Sequence, residues 1–172
     1  MCLTKKFEKR AQALEDTFGV SRPFTDEESG NITMIKYTGL WDTGAMGSVV
    51  SSKVAKELGL IPTGKKEAHT ANGSAIQNEH LVHIQLPNNH VIPNVFVTEA
   101  NLHGIDVLIG MDIIGCGDFS ITQPNGLTTL SFRIPSCKEI DYQKESKDHP
   151  VNERRLAHPL PDPQAVRQHA DA

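Results

Sequence analysis

Gly39-Leu40-Trp41-Asp42-Thr43-Gly44-Ala45-Met46-Gly47-Ser48-Val49-Val50 sets an aspartate, hydroxyl side chains and bend-forming glycines between two apolar runs. Asp42 follows an apolar pair, which predicts a half-buried carboxylate where a strand leaves a core. Gly44 and Gly47 permit bends that other residues resist, and let a second backbone approach closely. Thr43 and Ser48 can hydrogen-bond within the loop and hold it rigid. Such a loop presents a carboxylate in a fixed direction. Taken alone, the Asp-Thr-Gly tripeptide reads equally as an ordinary surface turn.

About sixty residues further on comes Ile105-Asp106-Val107-Leu108-Ile109-Gly110-Met111-Asp112-Ile113-Ile114, an apolar strand pattern ending in Gly, one residue, then Asp before a short helical run. The first stretch resembles the active-site loop of retropepsin-like aspartic proteases, and the second resembles the other signature of that family. Both occur in the family's order and at its separation. The resemblance covers Ile32 to Pro135 and is nearest to bacterial, single-domain members. It implies an all-β fold: a closed, acid-protease β-barrel with a flap hairpin and short helices, working as a homodimer. It further implies a catalytic role for Asp42, with Thr43, Gly44 and Ala45 completing the active-site loop. Thr43 would brace the paired loops across the dimer, and Gly44 would present backbone groups to substrate. Gly110 and Asp112 take the structural positions of the second motif.

Working outward, the 172 residues suffice for one domain with extensions. Hydrophobic residues at 38% and charged residues at 22% are ordinary for a globular protein. A formal net charge of −4 leaves no basic stripe, so nucleic-acid binding is not expected. No apolar run approaches a membrane span, and Met1–Arg10 lacks a signal peptide's apolar stretch. Three widely spaced cysteines, Cys2, Cys116 and Cys137, argue against a disulfide framework and fit a cytoplasmic location.

Upstream of the loop, Leu3, Phe7, Ala11, Leu14 and Phe18 recur at three- and four-residue steps among charged residues. That spacing predicts an amphipathic helix ended by Gly19. Residues 1–30 therefore read as a helical extension and loop, 31–136 as the retropepsin-like domain, and 137–172 as a polar, disordered tail with helical character near Ile140. Downstream, Ser51 or Ser52 caps a short helix through Leu58, closed by Gly59. Residues 67–70 and 76–86 flank Ala71-Asn72-Gly73-Ser74, and Asn-Gly predicts a hairpin. These four residues stand where the family carries its substrate-covering flap, with fewer glycines than retroviral flap tips; a plain structural hairpin is the other reading. Residues 91–98 and 105–109 are apolar β runs. Residues 118–122 and 127–134 form a last hairpin, whose final strand the resemblance places in the dimer interface.

Hydrolysis of a peptide bond without a metal or a nucleophilic side chain needs water deprotonated and the leaving amine protonated. Two adjacent carboxyls sharing one proton perform both tasks. The chain holds a single Asp-Thr-Gly, so the second carboxyl must come from a second copy across a twofold axis. Retroviral enzymes pair an acidic residue and an arginine at the positions of Met46 and Met111. Two methionines there predict an apolar contact instead. His80 and His83 stand three apart in a predicted strand, on opposite faces, so no zinc site and no cofactor is expected. Neither Cys116 nor Ser48 has an identifiable base. The expected partners are a second copy and a peptide or protein substrate, not nucleic acid or a membrane. A catalytically silent peptide-binding module on the same fold, gripping an extended peptide by strand addition, is the alternative.

Overall fold

The computed structural model describes residues 1–24, 33–70 and 73–148, which form ten strands, three short helices and one 3-10 turn. The strands are β1 (Cys2–Lys6), β2 (Glu15–Ser21), β3 (Ile35–Trp41), β4 (Val49–Ser51), β5 (Gly64–Thr70), β6 (Gly73–Gln85), β7 (Val91–Ala100), β8 (Val107–Ile109), β9 (Asp118–Thr122) and β10 (Thr129–Arg133). The helices are α1 (Ser52–Glu57), α2 (Met111–Ile114) and α3 (Tyr142–Asp148). Two compact units divide the chain, Met1–Cys137 and Lys138–Ala172. Within the second unit α3 is described, and the expected disorder of 149–172 lies outside the described residues.

Seven strands of the first unit run in the order β2-β3-β8-β4-β7-β6-β5, and β2 also pairs with β6. That extra pairing, Gly19↔Gln85 through Ser21↔His83, closes six of the strands into a ring. The architecture is all-β, a barrel-like ring with short helices. Closure explains why Phe18-Gly19-Val20-Ser21 is buried throughout instead of alternating: β2 has a neighbour on both sides. β8 lies between β3 and β4, parallel to the first and antiparallel to the second. The chain therefore leaves β3, bends, and returns two strands away with β8 threaded between.

The predicted N-terminal helix does not form. Leu3 lies in β1, which pairs with β10, and Phe18 lies in β2, which pairs with β3. Gly19, expected to end a helix, sits inside the ladder opposite Lys36. Leu3 and Phe18 are core residues and Phe7 and Leu14 pack against that core, so the apolar spacing reflects tertiary contacts. Long-range pairing with β3, β6 and β10 overrides the local helical pattern. β1 and β2 are consequently integral to the sheets.

β1, β10 and β9 form a second, three-stranded sheet. Leu130 and Phe132 of β10 are 0% and 1% exposed within this one chain. They fill the core and are not free to form the contact face expected of them. Arg133 of β10 bonds Asp118 of β9, whose carboxylate also accepts the Cys137 N–H and the Ser136 hydroxyl. These donors hold the Asp118 carboxyl well below the usual carboxylate range, the Cys137 amide contributing most.

Candidate active site

β3 delivers Asp42 to the rim of the ring. The Asp42 N–H donates to Ile109 O of β8 at 2.9 Å, and its Oδ1 accepts the Gly44 N–H at 2.8 Å. Asp42 and Ala45 are half-buried, while Thr43 and Gly44 are exposed. The carboxylate therefore faces outward with one oxygen fixed by the backbone two residues on.

The far limb of the loop is fastened to α2. Ala45 O accepts the Met111 N–H at 2.8 Å, and Met46 O accepts the Asp112 N–H at 3.2 Å. Ser48, which is buried, donates its N–H to Asp112 Oδ2 at 2.9 Å and its hydroxyl to Asp112 Oδ1 at 2.8 Å. Its Oγ in turn accepts the Gly110 N–H at 3.1 Å. A Cβ on Gly110 would lie 2.5 Å from the carbonyl carbon of Gly47, so only glycine admits the loop this close. The two sequence motifs thus meet in space. Ser48, expected to hydrogen-bond within the loop, instead ties the loop to Asp112 and Gly110 of the second motif, and the Thr43 hydroxyl has no hydrogen-bond partner among the described residues.

Beneath Asp42, Trp41 is 3% exposed and packs against Phe18, Phe119 and Phe132, with ring centroids 5.3, 5.8 and 5.3 Å away. Four of the chain's nine aromatic residues thus support the loop from below. The three phenylalanine partners of Trp41 come from β2, β9 and β10, far along the chain or on another strand, so no local pattern announces them. The Met46–Met111 contact does not exist within the chain as a dry pair. Their backbones are neighbours, but the side chains are 84% and 41% exposed.

β5 and β6 pair from Gly64↔Glu79 to Thr70↔Gly73 as the expected hairpin. Gly73 and Ser74 thus belong to the β6 ladder, whereas Ala71 and Asn72 lie outside the described residues. His80 and His83 are both buried. His80 Nε2 stands 3.0 Å from Glu99 Oε2, and this contact, with Asn78 and Ser52, lowers the Glu99 pKa. His83 Nδ1 accepts the Asn94 N–H, leaving Nε2 to donate to Phe24 O. A bulge makes this possible: Pro93 and Asn94 together oppose His83, with Asn94 at φ 57°. No group of three or more His, Cys, Asp or Glu side chains is gathered to hold a metal among the described residues. No helix among them is long and apolar enough to cross a membrane.

The sequence matches the family described as gag-polyprotein putative aspartyl protease over residues 30–115, which is half of the chain. No curated protein matches it. Among solved structures it is similar to a retropepsin-like aspartic protease from Rickettsia conorii, at 15% identity and a TM-score of 0.48, covering 78% of this chain and 96% of that one. It is also similar to the EIAV protease complexed with the inhibitor HBY-793, at 18% identity and a TM-score of 0.44, covering 63% and 88%. The matched span runs from before β3 through α2 and so takes in both fastened motifs. The chain belongs to the retropepsin-like aspartic proteases.

Proposed function

We propose that the chain is an aspartic endopeptidase that hydrolyses peptide bonds as a homodimer, with one Asp42 from each copy. The observation that carries this reading is the contrast between the carboxylates of the two motifs, Asp42 and Asp112. Asp42 faces outward with one oxygen held by Gly44, whereas both oxygens of Asp112 are engaged by Ser48. A second reacting carboxyl is thus not supplied by Asp112, and a twofold axis beside Asp42 would supply it. The exposed Thr43 hydroxyl, without a hydrogen-bond partner among the described residues, suits a contact between paired loops.

In the dimer one Asp42 is ionised and the other protonated, since two adjacent carboxylates cannot both ionise. The ionised carboxylate takes a proton from water as its oxygen attacks the scissile carbonyl carbon. The other carboxyl donates its proton to the carbonyl oxygen, giving a tetrahedral diol. Collapse breaks the C–N bond as the first carboxyl, protonated by the water, passes that proton to the amine and a diol hydroxyl returns its proton to the second carboxylate. The β5–β6 hairpin, including Ala71, Asn72, Gly73 and Ser74, covers an extended peptide substrate in this reading. The working domain is Met1–Cys137, and three exposed free cysteines support a cytoplasmic location.

Incubation with a diverse peptide library from acid to neutral pH tests the reading. Cleavage should occur, should stop with a transition-state-mimic inhibitor of aspartic proteases, and should fall by about a thousandfold in Asp42→Asn. Turnover undiminished in Asp42→Asn would refute it. Peptide binding without cleavage by the unaltered chain would instead identify a silent binding module.

A further inference from the structure

The ammonium of Lys66 hangs over the aspartate loop. Lys66 lies on β5, opposite Gln77, and a Cβ placed on Gly47 would be 4.0 Å from its Nζ. Gly47 belongs to the limb of the loop between Met46 and Ser48, so the lysine spans the space between hairpin and loop. Lys66 has no ion-pair partner among the described residues. Glu79, its diagonal neighbour across the ladder, comes no closer than 3.9 Å to a Cβ on Gly64 and makes no ion pair with it. Asp112, the acid fastened to this limb, gives its oxygens to the Ser48 N–H and hydroxyl and to the Ile113 N–H. A cation beside the aspartate loop that makes no ion pair among the described residues is matched by an anion on a substrate crossing that loop.

Resting on the proposed peptidase function, we infer that Lys66 sets specificity by binding an acidic side chain of the substrate. Lys66 lies by the far limb of the loop and not by Asp42 itself, so the acidic residue flanks the scissile bond. In a twofold dimer the second Lys66 repeats the preference on the other side of the bond. Lys65, the next residue, alternates to the opposite face of β5 and does not share this role.

The test scans Glu, Gln or Lys through the flanking positions of one cleaved peptide and compares kcat/KM. The unaltered chain should favour Glu over Lys by about tenfold at one or more positions. Lys66→Glu should invert that ratio, Lys66→Arg should keep it, and added salt should shrink it. The same labelled Glu, Gln and Lys peptides are also bound to the Asp42→Asn chain, read by fluorescence anisotropy. If nothing is cleaved but Glu peptides bind tighter in a Lys66-dependent way, the peptidase reading fails and the specificity role stands. A Glu-to-Lys ratio near one in both arms, or one unmoved by Lys66→Glu, overturns it.

Discussion

Between Asp42 and Ser48 the backbone belongs to no strand, yet four of its seven residues, Asp42, Ala45, Met46 and Ser48, are hydrogen-bonded to other elements. Ile109, Met111 and Asp112 hydrogen-bond to its backbone, Thr98 donates to Ser48 O, and the Gly110 N–H donates to the Ser48 hydroxyl. Between Gly64 and Thr70 the opposite holds: β5 is regular, but it is an edge strand paired with β6 alone, and Gly64–Glu67 is exposed. Irregular backbone is thus the fixed part of the site and regular backbone the free part. Chemistry needs a carboxylate that does not move, so it sits where tertiary bonds over-determine the chain. The proposed role of the β5–β6 hairpin as a cover for peptide needs few ties, and an edge hairpin has few.

The largest break in this contrast should come from Gly110→Ala. Its Cβ would collide with Gly47 backbone, and overpacking against a tied loop should cost about 3 kcal/mol in urea unfolding. A near-neutral variant would show that the loop yields and is not fixed. Ser48→Ala comes next. It removes the acceptor of the buried Gly110 N–H and one donor to Asp112, a loss of about 2 kcal/mol.

Tyr37, on the strand that carries Asp42, sharpens the picture from below. Its hydroxyl donates to Glu57 Oε2 at 3.0 Å, and Tyr37→Phe should cost about 1 kcal/mol. Burial, then the bond to and charge of Glu57, push the Tyr37 pKa up to about 12. Folding therefore favours the neutral phenol. The associated stability should be complete below pH 10 and be lost as pH climbs from 10.0 to about 12. Near-ultraviolet titration of a Tyr142→Phe chain, which keeps Tyr37 as its sole tyrosine, reads this directly. The smallest effect belongs to the hairpin. Ile76 is 75% exposed, and Ile76→Ser should change stability by no more than about 0.5 kcal/mol. A loss as large as that of Ser48→Ala would mean the hairpin is not free.

The same contrast explains what was legible in the sequence. The two motifs were readable through the family resemblance, whereas the demands that Gly110 and Asp112 answer, close approach to Gly47 and acceptance of the Ser48 donors, show only in the fold; the Ser51 cap of α1 answers a local demand and was readable as such. Their meeting in space followed from the family resemblance, not from spacing. The N-terminal strands were unreadable because their partners, β10 and β6, lie far along the chain. Within residues 3–18 nothing marks that the apolar positions face a distant core. The burial of Leu130 and Phe132 was missed for a related reason. Alternation on β10 announces one apolar face but not whether that face meets this chain or another.

The central claim, two Asp42 carboxyls in one site, is tested by mixing. Asp42→Asn keeps the size of the side chain and an acceptor oxygen for the Gly44 N–H, so the variant chain should fold and exchange partners freely. A mixed dimer holds one carboxyl, which cannot serve as base and acid in the same step. Residual activity, measured after subunit exchange at constant total protein, should fall with the square of the unaltered fraction. A linear fall would mean that each chain works alone with both carboxyls of its own, and would contradict the shared site.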